Sequence, residues 1–285
     1  MENAPLKNLS GLLLATFFIS TSGVLGRYIA LPVEIIIWSR AAIAMVLLYG
    51  FCRFKKISLK IVSKKDYIPF FISGFFMATH WVTYFYALKL SNVALGLLSL
   101  YTFPIIIALL EPLFLKIKFN PIYILFGLMV LTGLYILTPQ FTIESTQVKG
   151  ILFGILSAFC YAIRILILKQ RVANYNGYML MFYQTVIVAF LLLPTLFFLD
   201  FSGLQTQWPY VLLLAVLTTA IGHSLMLHSL KFFSASTASI ISSLQPIFGI
   251  ILAYFFLQEI PTMHTFWGGS LILLTVVLES LRNKK

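Results

Sequence analysis

Residues 92–115 read NVALGLLSLYTFPIIIALLEPLFL, and residues 234–257 read SASTASIISSLQPIFGIILAYFFL. Each stretch follows a lone lysine, Lys89 or Lys231, that closes an earlier apolar run. Each carries a proline in its interior, Pro104 or Pro246, and each ends in Phe-Leu. The offset between them is 142 residues, about half of the 285-residue chain, and in the same register Leu88 falls on Leu230 and Gly127 on Gly269. A proline inside an apolar run removes a backbone donor and frees a carbonyl one turn earlier. Two apolar segments interrupted at the same place are the sequence sign of a carrier built from two halves around a central site.

The rest of the composition agrees. The chain is 60% hydrophobic and 10% charged, against roughly 25% charged in a soluble globular domain. That much apolar surface has to face lipid, where every backbone amide needs an internal partner. The runs are about 20 residues long and continuously apolar, as helical spans require, and do not alternate as barrel strands do. The expected fold is therefore an all-α polytopic membrane protein. Its spans bracket at about 10–31, 33–52, 68–88, 92–115, 121–138, 150–168, 177–199, 209–230, 234–257 and 263–281.

The net charge of +12 does not point to nucleic acid, because the basic residues sit in short connections. With the N-terminus on side one, alternate connections on that side receive fifteen of the twenty Lys and Arg, including Arg53, Lys55, Lys56, Lys60, Lys64 and Lys65. Side two receives only Lys89 and Lys149, and Arg27, Arg40 and Arg164 lie inside spans. This asymmetry places both termini in the cytoplasm. Ten spans with a five-span repeat give the halves, 10–138 and 150–281, opposite orientations, so the expectation is two inverted five-helix repeats in an inner membrane. Residues 10–31 are read as a retained first span, because their pattern recurs near Gly150. Cys52 and Cys160 fall in or at the end of apolar runs and imply no disulfide framework.

Several features carry a family resemblance: the two repeats, a first span ending Gly23-Val24-Leu25-Gly26-Arg27, a second span containing Trp38-Ser39-Arg40, and proline in the fourth and ninth spans. Together they resemble the EamA-type family of the drug/metabolite transporter superfamily. The resemblance implies helices 1–4 and 6–9 around a central cavity, helices 5 and 10 at the periphery, solute movement by alternating access, and efflux of amino acids or related compounds.

Polar groups in mid-membrane are costly unless paired or hydrated, so each is a candidate for lining that cavity. Arg40 lies seven residues into its span; it could grip a carboxylate through its fork, or be a structural cation tied to helix-end carbonyls or Glu34. Gln184 occupies the loosely equivalent place in the second half. His80 and His223 sit at matching depths, either to couple transport to protons or simply to bond a neighbouring helix. Trp81, Tyr84, Tyr101 and Gln245 lie beside the histidines or just before the prolines, where a small amphipathic solute could bind; the alternative for the aromatic groups is lipid contact.

Glu111 and Arg164 lie at similar depth near the cytoplasmic face and are read either as a gate ion pair or as snorkelling charges. Pro104 and Pro246 are read as hinges. The Ser236, Ser239, Ser242 stripe reads as a packing surface. Gly127, Gly133 and Gly268-Gly269 read the same way, as intramolecular packing or a homodimer contact. There is no phosphate-binding Gly-Lys-Ser/Thr loop, no Cys/His metal spacing and no Gly-x-Ser-x-Gly elbow. No cofactor, metal or nucleic acid is expected; the expected partners are a small-molecule solute and lipid. The competing readings are a membrane-embedded enzyme, which lacks a catalytic acid/base pair, and a receptor or scaffold, which has no need of an inverted repeat.

Overall fold

A computed structural model describes residues 3–115, 120–137, 142, 144–171, 174–229, 231–233 and 241–282. The described residues are helical, with no strand among them. Twelve helices are numbered here: α1 (Asn3–Tyr28), α2 (Val33–Phe54), α3 (Tyr67–Leu90), α4 (Val93–Leu100), α5 (Phe103–Leu115), α6 (Ile122–Leu137), α7 (Thr146–Lys169), α8 (Gly177–Leu192), α9 (Leu204–Leu213), α10 (Ser224–Ser229), α11 (Leu244–Leu257) and α12 (Met263–Arg282). A π-helical segment, Leu214–His223, joins α9 to α10.

Among the described residues, six stretches are long and apolar enough to cross a membrane: Asn8–Tyr28, Val33–Phe54, Val93–Phe114, Thr146–Lys169, Gly177–Phe197 and Leu204–Ser229. Ile122–Leu137, Leu244–Leu257 and Met263–Leu278 are apolar but shorter. Helix α3 is of spanning length but carries His80, Trp81, Thr83, Tyr84 and Tyr86, which lower its hydropathy.

The polarity of the bundle is reversed relative to a water-soluble protein. Large apolar side chains such as Phe71, Leu128, Leu156 and Phe255 are exposed, while Thr16, Ser73, Ser157, Thr218 and two arginines are buried. That is the arrangement expected when the outer solvent is hydrocarbon.

Local sequence explains the boundaries. Pro32 precedes α2 and fixes the tight hairpin after α1. Asn92 and Asn176 cap α4 and α8, their side-chain oxygens accepting from Leu95 N (2.8 Å) and Tyr178 N (2.9 Å). The two prolines of the opening stretches break the helix outright. After α4 the chain turns at Tyr101-Thr102 and restarts as α5 with Pro104 in its first turn; after a turn at Ser243 it restarts as α11 with Pro246 in its first turn. Proline is tolerated there because first-turn N–H groups have no helical partner.

The π segment is absent from the sequence reading, which treats 209–230 as one regular span. Within it the Thr218 hydroxyl occupies the Leu214 carbonyl (2.6 Å), competing with the backbone ladder.

The largest helix contact is α3 on α7; α1 packs on the π segment, α10 and α11, α2 on α8 and the π segment, α4 and α5 on α7, and α6 on α12. The α6–α12 contact is built on glycine: a Cβ on Gly133 would lie 2.7 Å from Ile272, and one on Gly268 would lie 2.6 Å from the Gly133 carbonyl. Gly133 and Gly268 thus serve intramolecular packing, whereas Gly127 has nothing within 4 Å. Ser236 and Ser239 lie outside the described residues, as does part of the 140–149 connection.

Candidate functional site

Where α1 to α5, α7, the π segment and α11 converge, they leave a cavity of about 30 Å³, room for a water or two and far too small for a metabolite. Its wall includes Ser22, Arg40, His80, Trp81, Tyr84, Phe103, Tyr161, His223, Ser242 and Gln245. Six residues expected from the sequence to bind solute are therefore brought together: Arg40, His80, Trp81, Tyr84, His223 and Gln245. Neither α6 nor α12 contributes to the wall.

Arg40 is 1% exposed. Its Nε donates to Thr219 Oγ1 of the π segment (2.6 Å), and its guanidinium lies 3.9 Å from the centroid of the Trp81 ring. Its Nη2 has no hydrogen-bond partner among the described residues, and neither does Trp81 Nε1. The alternative tether to Glu34 does not form, because Glu34 accepts instead from the Tyr86 hydroxyl (2.6 Å). Stacking on an indole face compensates a desolvated cation by only about 2 kcal/mol. A buried charge normally requires a counter-charge. Here the carboxylates of Glu34, Asp66, Glu111 and Glu259 are engaged near the ends of the bundle, with Tyr86, Arg171, Lys169 and Arg27. Among the described residues no carboxylate lines the cavity.

The histidines, expected at matching depths from opposite faces, share this wall. His80 Nδ1 lies 2.7 Å from Ser157 Oγ and 3.2 Å from the Ser157 carbonyl, and the Ser157 hydroxyl gives its proton to the His80 carbonyl (2.9 Å). Both oxygens near Nδ1 therefore accept, which places a proton on Nδ1. The His80 ring is 4.8 Å from Tyr161, and His223 is 5.7 Å from Trp81.

Other expectations need correction or relocation. Arg164 and Glu111 do not pair. Arg164, also 1% exposed, donates through Nη2 to Gln184 Oε1 (2.7 Å), while Glu111 pairs with Lys169. Arg164 is turned toward Gln184 of α8, and Lys169, the last residue of α7, reaches Glu111 in its place. Gln184 thus holds Arg164 rather than lining the cavity. Tyr101, buried behind the wall, donates its hydroxyl to the Ser242 carbonyl. That carbonyl lies four residues before Pro246 and is the one a proline there leaves without its helical donor.

Sequence reasoning missed Tyr161, Phe103, Ser157 and Thr219. Tyr161 could have been found, since it stands three residues before Arg164 on the same helix face; the guanidinium lies 5.3 Å from its ring. Ser157 and Thr219 resemble any other mid-span hydroxyl residue until the fold sets them against His80 and Arg40.

A family model described as the EamA-like transporter family matches residues 6–138 and again residues 148–281. An uncharacterized transporter, YxxF, of Bacillus subtilis (strain 168) is 26% identical over 268 residues, covering 92% of this chain and 86% of its own. The pseudopaline exporter CntI of Pseudomonas aeruginosa (strain UCBPP-PA14) is 27% identical over 283 residues, covering 97% of both chains. One solved crystal structure is similar over the whole of both chains, with a TM-score of 0.68 at 18% identity, a likeness of fold.

Proposed function

Because this chain belongs to the EamA-like transporter family, an integral membrane family of solute carriers, we propose that it is a secondary carrier exporting a small organic solute that bears a carboxylate. The observation that carries this reading is Arg40. It is a buried cation whose Nη2 has no partner among the described residues, facing a cavity whose described wall holds two histidines and no carboxylate. An arriving carboxylate supplies the missing acceptor and counter-charge, and Trp81, Tyr84 and Tyr161 offer apolar faces to the rest of the solute. Export rather than uptake rests on the similarity to CntI, which is named as an exporter.

In this reading the chain makes ten spans through the inner membrane as two inverted five-helix repeats, and both termini lie in the cytoplasm. Two findings support it. The family model matches twice, once per half. Exchanging the halves also leaves the helix contacts in the same pattern: α3 on α7 becomes the π segment and α10 on α1, and α7 on α4 and α5 becomes α1 on α11. The halves rock about the cavity, and the broken helices at Pro104 and Pro246 take up the bending. The small volume corresponds to a closed stage of that cycle.

Flux into proteoliposomes tests the proposal, using a panel of amino acids and other carboxylates, nucleosides and cationic drugs. Carboxylates should move, and Arg40→Ala should slow them by roughly tenfold to a hundredfold, the loss expected for a charge-assisted bond. Arg40→Lys should recover only part, since it keeps the charge and loses the fork. Equal movement of cations by the wild type and by Arg40→Ala would refute it.

A further inference from the structure

Of the three ion pairs that the described residues make at the ends of the bundle, two are counterparts; the third, Arg171–Asp66 (3.0 Å), is a second tether at the basic end. At the end with the Leu31-Pro32 hairpin, Arg27 Nε lies 3.4 Å from Glu259 Oε1, Arg27 Nη1 donates to the Lys89 carbonyl (2.8 Å), and Glu259 Oε2 accepts from Val93 N (2.9 Å). Lys89 in turn donates to the Ile29 carbonyl. At the end with the basic 53–65 loop, Lys169 pairs with Glu111, and Gln170 Nε2 donates to the Phe114 carbonyl (3.5 Å).

Arg27 and Lys169 are separated by 142 residues, the offset that relates the two proline-bearing stretches. Each sits at the end of the first helix of its half, α1 or α7. Their partners belong to the second segment of the broken helix in the opposite half: Glu111 is in the last turns of α5, and Glu259 lies two residues past the end of α11. The exposures match too, at 35% and 23% for Arg27 and Glu259 and 40% and 20% for Lys169 and Glu111. Partly hydrated pairs of this kind are weak, so each can open without a large barrier. Both are closed around a cavity too small for a solute.

We propose that Arg27–Glu259 and Lys169–Glu111 are the two latches of the transport cycle, and that their relative strength decides which face of the membrane the cavity opens to. Breaking Arg27–Glu259 frees α1 from α11 and opens the hairpin end; breaking Lys169–Glu111 frees α7 from α5 and opens the basic end. The inference rests on the carrier reading, since a latch at each end has a purpose only if the ends open in turn.

The test uses full-length protein with Cys52→Ser and Cys160→Ser and a reporter cysteine, Ser22→Cys, in the cavity wall, labelled by a membrane-impermeant maleimide from each face separately. Arg27→Glu should raise labelling from the hairpin face by about threefold to fivefold, the shift a pair of this exposure supports. Lys169→Glu should do the same from the basic face. The reversed pairs, Arg27→Glu with Glu259→Arg and Lys169→Glu with Glu111→Lys, should restore the starting pattern. If a charge reversal prevents folding, Arg27→Gln and Lys169→Gln carry the same comparison. Unchanged labelling in variants that still move solute overturns the latches and leaves the carrier standing. A wild-type protein that moves no solute of the panel overturns the carrier reading, and the latches with it.

Discussion

Tyr101 and Ser242 lie on different halves of the chain, yet the hydroxyl of one completes the backbone of the other. Pro246 has no N–H for the Ser242 carbonyl, and in a lipid-surrounded interior an unsatisfied carbonyl carries its full desolvation cost. Tyr101→Phe keeps the ring and removes only that donor. The expected loss is about 1–3 kcal/mol of stability, the usual cost of an orphaned buried group, seen as a lower thermal midpoint in detergent. An unchanged midpoint would mean that the carbonyl finds another donor. The sequence discloses the freed carbonyl, because proline placement is local. It does not disclose the donor, which is 141 residues away. The same limit explains Arg164: its depth could be read from its position in the run, but that its partner would be Gln184 rather than Glu111 depended on how α7 and α8 are both packed on α3.

Helices are set against each other by small residues whose roles look alike in a list of letters. On α7, a Cβ at Gly154 would come within 2.7 Å of the Ser99 Cβ on α4; on α6, one at Gly127 would meet nothing. Gly154→Ala should therefore cost about 1–3 kcal/mol by pushing α7 off α4. Gly127→Ala should be neutral or stabilise by up to about 1 kcal/mol through helix propensity. Thermal unfolding of the two variants side by side checks both, and equal effects would contradict the packing. At this scale the proline breaks were legible, since no alternative donor chemistry exists at Pro104 or Pro246. The π turn was not: its signals, Thr218, Thr219 and Gly222, are common in any apolar span.

The whole molecule is where the sequence says most. An offset of 142 residues, a fifteen-to-two asymmetry of basic residues and polar positions recurring at one depth are global patterns that survive uncertainty at any single boundary. They led to six of the residues that line the cavity, although not to its size, which depends on how far the halves have closed. One consequence of the buried arginines remains. Arg40 and Arg164 are both nearly inaccessible, and among the described residues no acidic side chain lines the cavity beside Arg40. In the proposed carrier reading, an empty carrier turning from one face to the other moves positive charge through the transmembrane field, at about 2.3 kcal/mol per charge for each 100 mV. In that reading a voltage negative inside draws the vacant cavity toward the cytoplasm, where the proposed cargo is loaded, and an anion that cancels part of the charge eases the return. Turnover should thus respond to an imposed potassium diffusion potential, and Arg40→Gln should make that response less steep.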